Sequence, residues 1–496
     1  MIDPTDILQI APSVLAGASD FAGSNNIHPV GAAAVAIASI AMLLVKRPYA
    51  PIVLLALASV IPSSQRIVVA GADFNFVRFL VLIGLIRHMA RGELSWIRWN
   101  AIDTCMVLGA IARTVCGPIS RGAVADLVGA IGSNFELVGA YFVLRCSIRN
   151  LDEVRQLARS AAFLCILVAP FFLLERQTGR NLFSVFGGIP EITNVREGKI
   201  RCRGAFSHAI LAGCFFVAWI PIWIPLLLGG PTRDRRMAIT GFIGALLVVF
   251  ACASSTPVVS LLLALAVWTA FPARAHLRSM YLAAIAGGVV LHFLMTKPIW
   301  HLIARIDLVG GSTGIHRYRL IDAAIRRFGE WWMLGTPSTA HWGWGLYDVT
   351  NQFVIEAIRG GVWALLAICA VFIFSYASVG AELRRLAVDR FRAMRGGARR
   401  AYDQLTRDEL LVYGIGAAMC AQMAVFLAVS YFGQTVVIWQ FFMALSASLR
   451  QWTRDPATVR SFESERASPT PPTSWPPRRR NRLDVEPLPV LRGGAS

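Results

Sequence analysis

Two arginine-bearing polar segments hold the side chains of this chain best suited to chemistry. The first ends Arg201-Cys202-Arg203-Gly204-Ala205-Phe206-Ser207-His208 and runs straight into an apolar stretch. Two guanidinium groups at i and i+2 beside a helix start can clamp a phosphate, because exposed backbone N–H groups and the helix dipole add to their charge. Snorkelling of the same arginines to lipid headgroups is the competing use. The second segment, 311–362, holds His316, Arg317, Arg319, Asp322, Arg326 and Arg327, then Trp331, Trp332, His341, Trp342, Trp344, Asp348 and Asn351. Residues three and four apart share a helix face. A helix over 317–328 therefore groups His316, Arg319 and Arg327 and turns Arg317 the other way, giving two cationic directions. Either His316 or His341 has the intrinsic basicity of a general base near neutral pH, although loop histidines are commonly just solvated. Indole rings in such a segment anchor a membrane interface or stack on sugar rings, and anchoring is the commoner role.

What is missing narrows the chemistry. The acidic residues of the loops that carry these segments, Glu191, Glu197, Asp307, Asp322, Glu330 and Asp348, are scattered among cations rather than paired. A divalent cation wants clustered oxygen ligands, so neither a metal nor another cofactor is expected, and a diphosphate handled here would be neutralised by arginine. No phosphate-cradling Gly-Lys loop occurs, which argues against an ATP-driven machine. The nine cysteines lie mostly inside apolar runs, where a thiol is a small hydrophobe, and no CxxC or Cys/His cluster marks a disulfide framework or zinc site.

The elements that position these residues are membrane helices. Of 496 residues, 56% are hydrophobic and 16% charged, with a mean hydropathy of +0.57; a soluble domain carries about 25% charged residues. The fold class expected is all-α, a polytopic integral membrane protein with about thirteen transmembrane helices and one large external loop. The candidate spans are 29–45, 51–61, 74–86, 101–119, 127–144, 157–174, 208–228, 237–254, 258–271, 280–295, 353–379, 411–429 and 436–449. The net charge of +19 collects in short loops, including the arginine-rich hairpin 384–407. Placing those loops in the cytoplasm obeys the positive-inside rule, with the N-terminus outside and the C-terminus inside. That explains the basicity without nucleic acid. Two outward loops, 175–207 and 296–350, are basic against the rule, and binding an anion is the natural reason. The resulting organisation is an external N-terminal segment 1–28, helices over 29–295 with the outer loop 175–207, a large outer loop 296–350, helices over 351–450, and a disordered basic Pro-rich cytoplasmic tail 451–496. Within the spans, Arg78, Arg113, Glu136 and Arg359 must face the bundle interior or a headgroup layer. Arg78 and Arg113 are placed to pair with Glu136.

Four motifs recur in order: Arg203-Gly204-Ala205-Phe206-Ser207-His208 at a helix start, Ser254-Ser255-Thr256-Pro257 at a tight turn, Gly314-Ile315-His316-Arg317 opening the large loop, and Asp348-Val349-Thr350-Asn351-Gln352-Phe353 closing it ahead of Gly360-Gly361. In this order, over about the C-terminal two-thirds of the sequence, the chain resembles the O-antigen ligase and O-antigen polymerase superfamily of bacterial envelope glycosyltransferases. The resemblance implies glycosyl transfer on the periplasmic face of the inner membrane from a polyprenyl-diphosphate-linked oligosaccharide. Arg203 and Arg317 would clamp the diphosphate, with Arg201, Arg319, Trp342 and Asn351 as further substrate contacts. Family ligases often show His-Asn before the closing helix, and here Thr350-Asn351 stands there, so His316, His341 or Asp348 is left as the base. The closing motif looks closer to exopolysaccharide repeat-unit polymerases. A chain-length regulator and a flippase of the same pathway are the expected partners, besides the bilayer. Transfer to another acceptor, as in a ligase, is the nearest alternative. A transporter or flippase of lipid-linked glycans is another, but it should line a central cavity with cations from many helices and show internal repeats. A non-enzymatic assembly partner would leave the paired arginine loops unused.

Overall fold

A computed structural model describes residues 25–69, 72–122, 124–305 and 314–452. The expectations for residues 1–24, for 306–313 with Asp307, and for the tail from 453 onward lie outside the described residues.

The long apolar runs become helices because, away from water, each backbone N–H and C=O must be satisfied within its own segment. The described residues hold sixteen α-helices. They are α1 (Pro29–Leu44), α2 (Ala50–Val60), α3 (Phe76–Ala90), α4 (Ala101–Arg121), α5 (Val124–Ser147), α6 (Leu151–Thr178), α7 (Ala209–Val217), α8 (Ile220–Gly229), α9 (Thr232–Cys252), α10 (Ser255–Thr269), α11 (Leu277–Leu294), α12 (Gly314–Arg326), α13 (Phe328–Trp331), α14 (Gln352–Arg395), α15 (Arg399–Phe426) and α16 (Thr435–Trp452). Two antiparallel hairpins are additions to the all-α expectation: β1 (Arg66–Val69) with β2 (Ala72–Asn75), and β3 (Val195–Arg196) with β4 (Lys199–Ile200).

Among the described residues, eight helical segments are long and apolar enough to cross a bilayer, and three shorter apolar helices accompany them. The chain is a multi-pass, almost wholly helical membrane protein. A helix lies in each of the thirteen expected spans, but the third span starts as strand: β2 takes Ala72–Asn75, and Asn75 caps α3 by accepting from the Arg78 amide at 2.8 Å. The seventh is broken into α7 and α8, with Pro221 at the start of α8. The arginine-rich hairpin is mostly helix, because α14 runs on to Arg395 and α15 starts at Arg399.

Packing sorts the helices. A helix apolar on all sides belongs in the interior, and α7–α8 is central, with Phe215, Phe216, Trp219 and Trp223 fully buried. Trp219 packs on Phe441 of α16 at 4.7 Å between ring centroids. By contrast α11 has no buried residue, and Phe293 is 81% exposed, an arrangement that suits hydrocarbon rather than water. α14 packs along α4 and α15, α9 along α6, and α16 along α5.

Interior charges are paired across the bundle. Arg78 Nε meets Glu136 Oε2 at 2.9 Å, as expected from sequence. Arg113 does not join them: its Nη1 lies 2.5 Å from Glu356 Oε2 of α14, and its Nε donates to Asn134. Arg113 points across to α14 because the helix on that side supplies a buried carboxylate one turn after the cap. Asp103 and Arg145, both wholly buried, pair at 2.8 Å.

Candidate active site

The site starts from a carboxylate. Glu175 lies in the last turn of α6 and is completely buried. Its Oε1 accepts from the Arg203 amide at 3.0 Å and the Thr193 hydroxyl at 2.8 Å, and its Oε2 accepts from the Gly204 amide at 3.0 Å. Charge-assisted bonds of this kind are about twice as strong as neutral ones, so Glu175 fixes the backbone at Arg203-Gly204. Gly204 has φ +53°, and a Cβ there would fall 2.4 Å from the Phe172 ring. No other residue fits this corner. Asn181 closes it by donating to the Gly204 carbonyl at 2.7 Å.

The Arg203 side chain is thereby held in the protein with little to bind. Nη1 reaches the Ser207 carbonyl at 3.3 Å, while Nη2 is buried without a partner. Arg317, on the inward face of α12, is 7% exposed; its Nη2 donates to Thr256 Oγ1 at 3.0 Å and its Nε has no partner. Thr256 sits in the first turn of α10, in the Ser254–Pro257 turn singled out from sequence. Arg201 is half-buried, and its Nε is also unpartnered. None of the three has an ion pair among the described residues. Burial lowers the pKa of all three guanidinium groups; Arg196 lowers Arg201 further, Arg201 and Arg196 lower Arg317, and Glu175 partly offsets the effect at Arg203. A buried cation with free N–H groups and no carboxylate is a site waiting for an anion.

His208 completes this cluster. It precedes α7 and is exposed, although the protein packed around it desolvates the ring, with Phe432 edge-on at 5.6 Å. Burial lowers its pKa, and the charges of Arg203 and Arg201 lower it further, against an opposing effect from Asp348. The imidazole is therefore neutral near pH 7 and can accept a proton.

The large loop folds as a cap with its own small core, Leu320, Ala324, Trp331, Trp342 and Leu346 against Val354, Ala357 and Ile358 of α14. α14 is kinked where Gly361 adopts φ +63° and ψ −162°, a conformation open only to glycine. The kink frees backbone groups that the cap takes up: Val362 N–H donates to the Trp332 carbonyl at 2.7 Å, and Thr336 N–H to the Ile358 carbonyl at 3.0 Å. Glu330 ties the cap together at its surface. It accepts from His341 Nε2 at 2.7 Å, Trp342 Nε1 at 2.9 Å and Arg327 Nη1 at 2.7 Å. Hydrogen bonds from His341 and Trp342, with help from Arg327, push its carboxyl down to about 2.

The expected site residues thus divide. Arg201, Arg203 and Arg317 are linked through Arg201, which acts on Arg317 and, together with Arg203 and Asp348, on His208. The charge of Arg201, not that of Arg203, is the one felt at Arg317. His316 Nε2 donates to the Asp348 carbonyl at 2.9 Å, which leaves Nδ1 as its acceptor. His341 is tied to Glu330, and Arg319 and Trp342 line a separate cleft. Asn351 spends its amide on structure: Oδ1 caps α14 through the Val354 amide, and Nδ2 donates to the Leu427 carbonyl. Sequence reading quotes His208 only as part of a motif and passes over Glu175. The signal for His208 is its place five residues after Arg203. Glu175 offers none, because its role depends on a turn formed 28 residues later. The described residues contain no group of three His, Cys, Asp or Glu side chains able to hold a metal ion, and all nine cysteines are free. No family model and no curated protein matches this chain.

The other end of the bundle shows what a saturated arginine looks like. At the N-terminal end of α6, about 25–30 Å along the helix from Glu175, Arg155 pairs with Asp152 and Asp408, and Arg159 with Asp234 at 2.8 Å. Arg274 and Arg390 share Glu409. These cations are neutralised by the fold, whereas those of the Arg201–Arg203–Arg317 cluster are not.

Proposed function

We propose that the chain is a membrane glycosyltransferase that takes a glycan from polyprenyl diphosphate, in the manner of an exopolysaccharide repeat-unit polymerase. The observation carrying this reading is the group of three unpaired arginines, two buried and one half-buried, beside a neutral histidine, in a protein whose other buried arginines are largely matched to carboxylates. Such a cluster suits a multiply charged leaving group and needs no metal to neutralise it.

In the reaction, an acceptor hydroxyl oxygen attacks the anomeric carbon of the lipid-linked glycan. The bond from that carbon to the diphosphate oxygen breaks, and its electron pair stays on the diphosphate. Arg203, Arg201 and Arg317 bind the oxygens on which charge grows. The free N–H groups of Arg203 and Arg317 are already oriented, so little reorganisation accompanies the transition state. The hydroxyl proton passes to His208, with Asp348 stabilising the imidazolium. His316, through Nδ1, is the other open acceptor. In the polymerase reading donor and acceptor are both lipid-linked repeat units, the cluster faces the periplasm, and the protein lies in the inner membrane beside its flippase and chain-length regulator.

The test uses a strain lacking its own copy, complemented with Arg203→Ala or Arg317→Ala at unchanged membrane abundance. Each variant should leave single repeat units in place of long surface polysaccharide. Long chains of normal distribution in both would overturn the clamp.

A further inference from the structure

The cap carries a second cationic face that the diphosphate clamp does not use. α12 turns Arg317 inward and Arg319 outward. Arg319, Asp322, Arg326 and Arg327 line a cleft of about 500 Å³ together with Trp342 and Trp344, a size within the roughly 300–1,000 Å³ usual for small-ligand sites. Two of its three arginines are neutralised: Arg326 Nε lies 2.8 Å from Asp322 Oδ2, and Arg327 Nη1 lies 2.7 Å from Glu330 Oε1. Arg319 has no carboxylate partner among the described residues, so the cleft keeps one uncompensated guanidinium.

The aromatic side of the cleft is built rather than incidental. Trp342 is buried to 7% exposure and its indole is locked by Glu330, whereas Trp344 stands 95% exposed between Gly343 and Gly345. An indole held that far into solvent on a folded cap offers a flat face to a ring that stacks on it. A guanidinium supplies a planar fork that matches a carboxylate.

We propose that this cleft binds a carboxylate-bearing sugar of the growing glycan, with Arg319 on the acid group and Trp344 against the ring. The proposal rests on the reading of the chain as a glycan transferase. It adds that the glycan is acidic and that the cap, not the diphosphate clamp, selects it.

Full-length protein in nanodiscs of zwitterionic lipid, titrated by calorimetry with tetragalacturonate and with maltotetraose, tests this. Tetragalacturonate should bind, more weakly as salt rises, and Arg319→Gln should weaken it by roughly tenfold. Maltotetraose should bind at least roughly tenfold more weakly, with no change in the variant. Trp344→Ala should weaken both. Equal affinity for the two oligosaccharides, or equal tetragalacturonate affinity in wild type and Arg319→Gln, would overturn the proposal. So would loss of the difference in nanodiscs of anionic lipid, which would assign the cleft to headgroups. The surface polysaccharide of a strain complemented with Arg203→Ala separates the two readings: if that variant still makes long chains while the Arg319 result holds, the clamp fails and the acidic-sugar cleft stands.

Discussion

Removing the Glu175 carboxylate should loosen one corner of the protein by a calculable amount. In Glu175→Ala the Thr193 hydroxyl can rotate to another acceptor, but the amides of Arg203 and Gly204 cannot. A buried N–H left without a partner costs about 1–3 kcal/mol, so two of them lower the opening free energy of the corner by about 2–6 kcal/mol. At about 1.4 kcal/mol per tenfold, even the lower bound speeds exchange of those two amides by about 30-fold. Hydrogen–deuterium exchange on peptides spanning 201–206 reads this directly, with peptides from the buried part of α15 as the unchanged reference. Glu175→Gln retains one carbonyl oxygen and should fall between wild type and Glu175→Ala. Wild-type protection of the Arg203 and Gly204 amides in Glu175→Ala would refute the claim that this carboxylate organises the clamp.

Other consequences are equally specific. Glu356→Ala leaves Arg113 buried without its partner and should cost about 3–5 kcal/mol of stability in detergent, while Arg113→Met with Glu356→Leu should recover most of it; equal loss in the single and double variants would contradict this. Gly361→Ala adds a Cβ 2.5 Å from the Met333 carbonyl at a φ of +63°, so the cap should separate from α14, with loss of protection at Val362 and Thr336 and a lower melting temperature. Because His208 has its pKa lowered below 6.5, its neutral form persists to more acid pH than that of a free histidine. The acid limb of the transfer rate should therefore lie below pH 6.5, and a limb above that value would exclude His208 as the proton acceptor.

The sequence makes the helices legible because length and hydropathy decide them: a run of about 20 apolar residues has few alternatives in a bilayer. The opposed directions of Arg317 and Arg319 are legible for a similar reason, since helical periodicity alone separates them. What sequence leaves hidden is every feature made by distant segments. The partner of Arg113 is 243 residues away, and Glu136, nearer in sequence, is the simpler guess for both Arg78 and Arg113. The hairpin β1–β2 hides in a stretch whose hydropathy suits a helix as well as a strand. Asn351 looks like a substrate ligand beside a polar loop, yet its geometry is that of a helix cap. The unpaired state of Arg201, Arg203 and Arg317 depends on which carboxylates reach their guanidinium groups, and only the three-dimensional arrangement shows that none among the described residues pairs with them.

Reconstitution gives the most direct test of the central claim, that buried arginines grip a lipid diphosphate while a sugar is transferred. Purified protein in proteoliposomes, supplied with a defined polyprenyl-diphosphate oligosaccharide in buffer containing EDTA, should release free polyprenyl diphosphate in step with glycan lengthening. Arg203→Ala and Arg317→Ala should reduce both together by roughly 100-fold or more, as expected when a transition-state charge loses its donor. Transbilayer movement of the intact donor without release of polyprenyl diphosphate, or full release by both variants, would contradict the account.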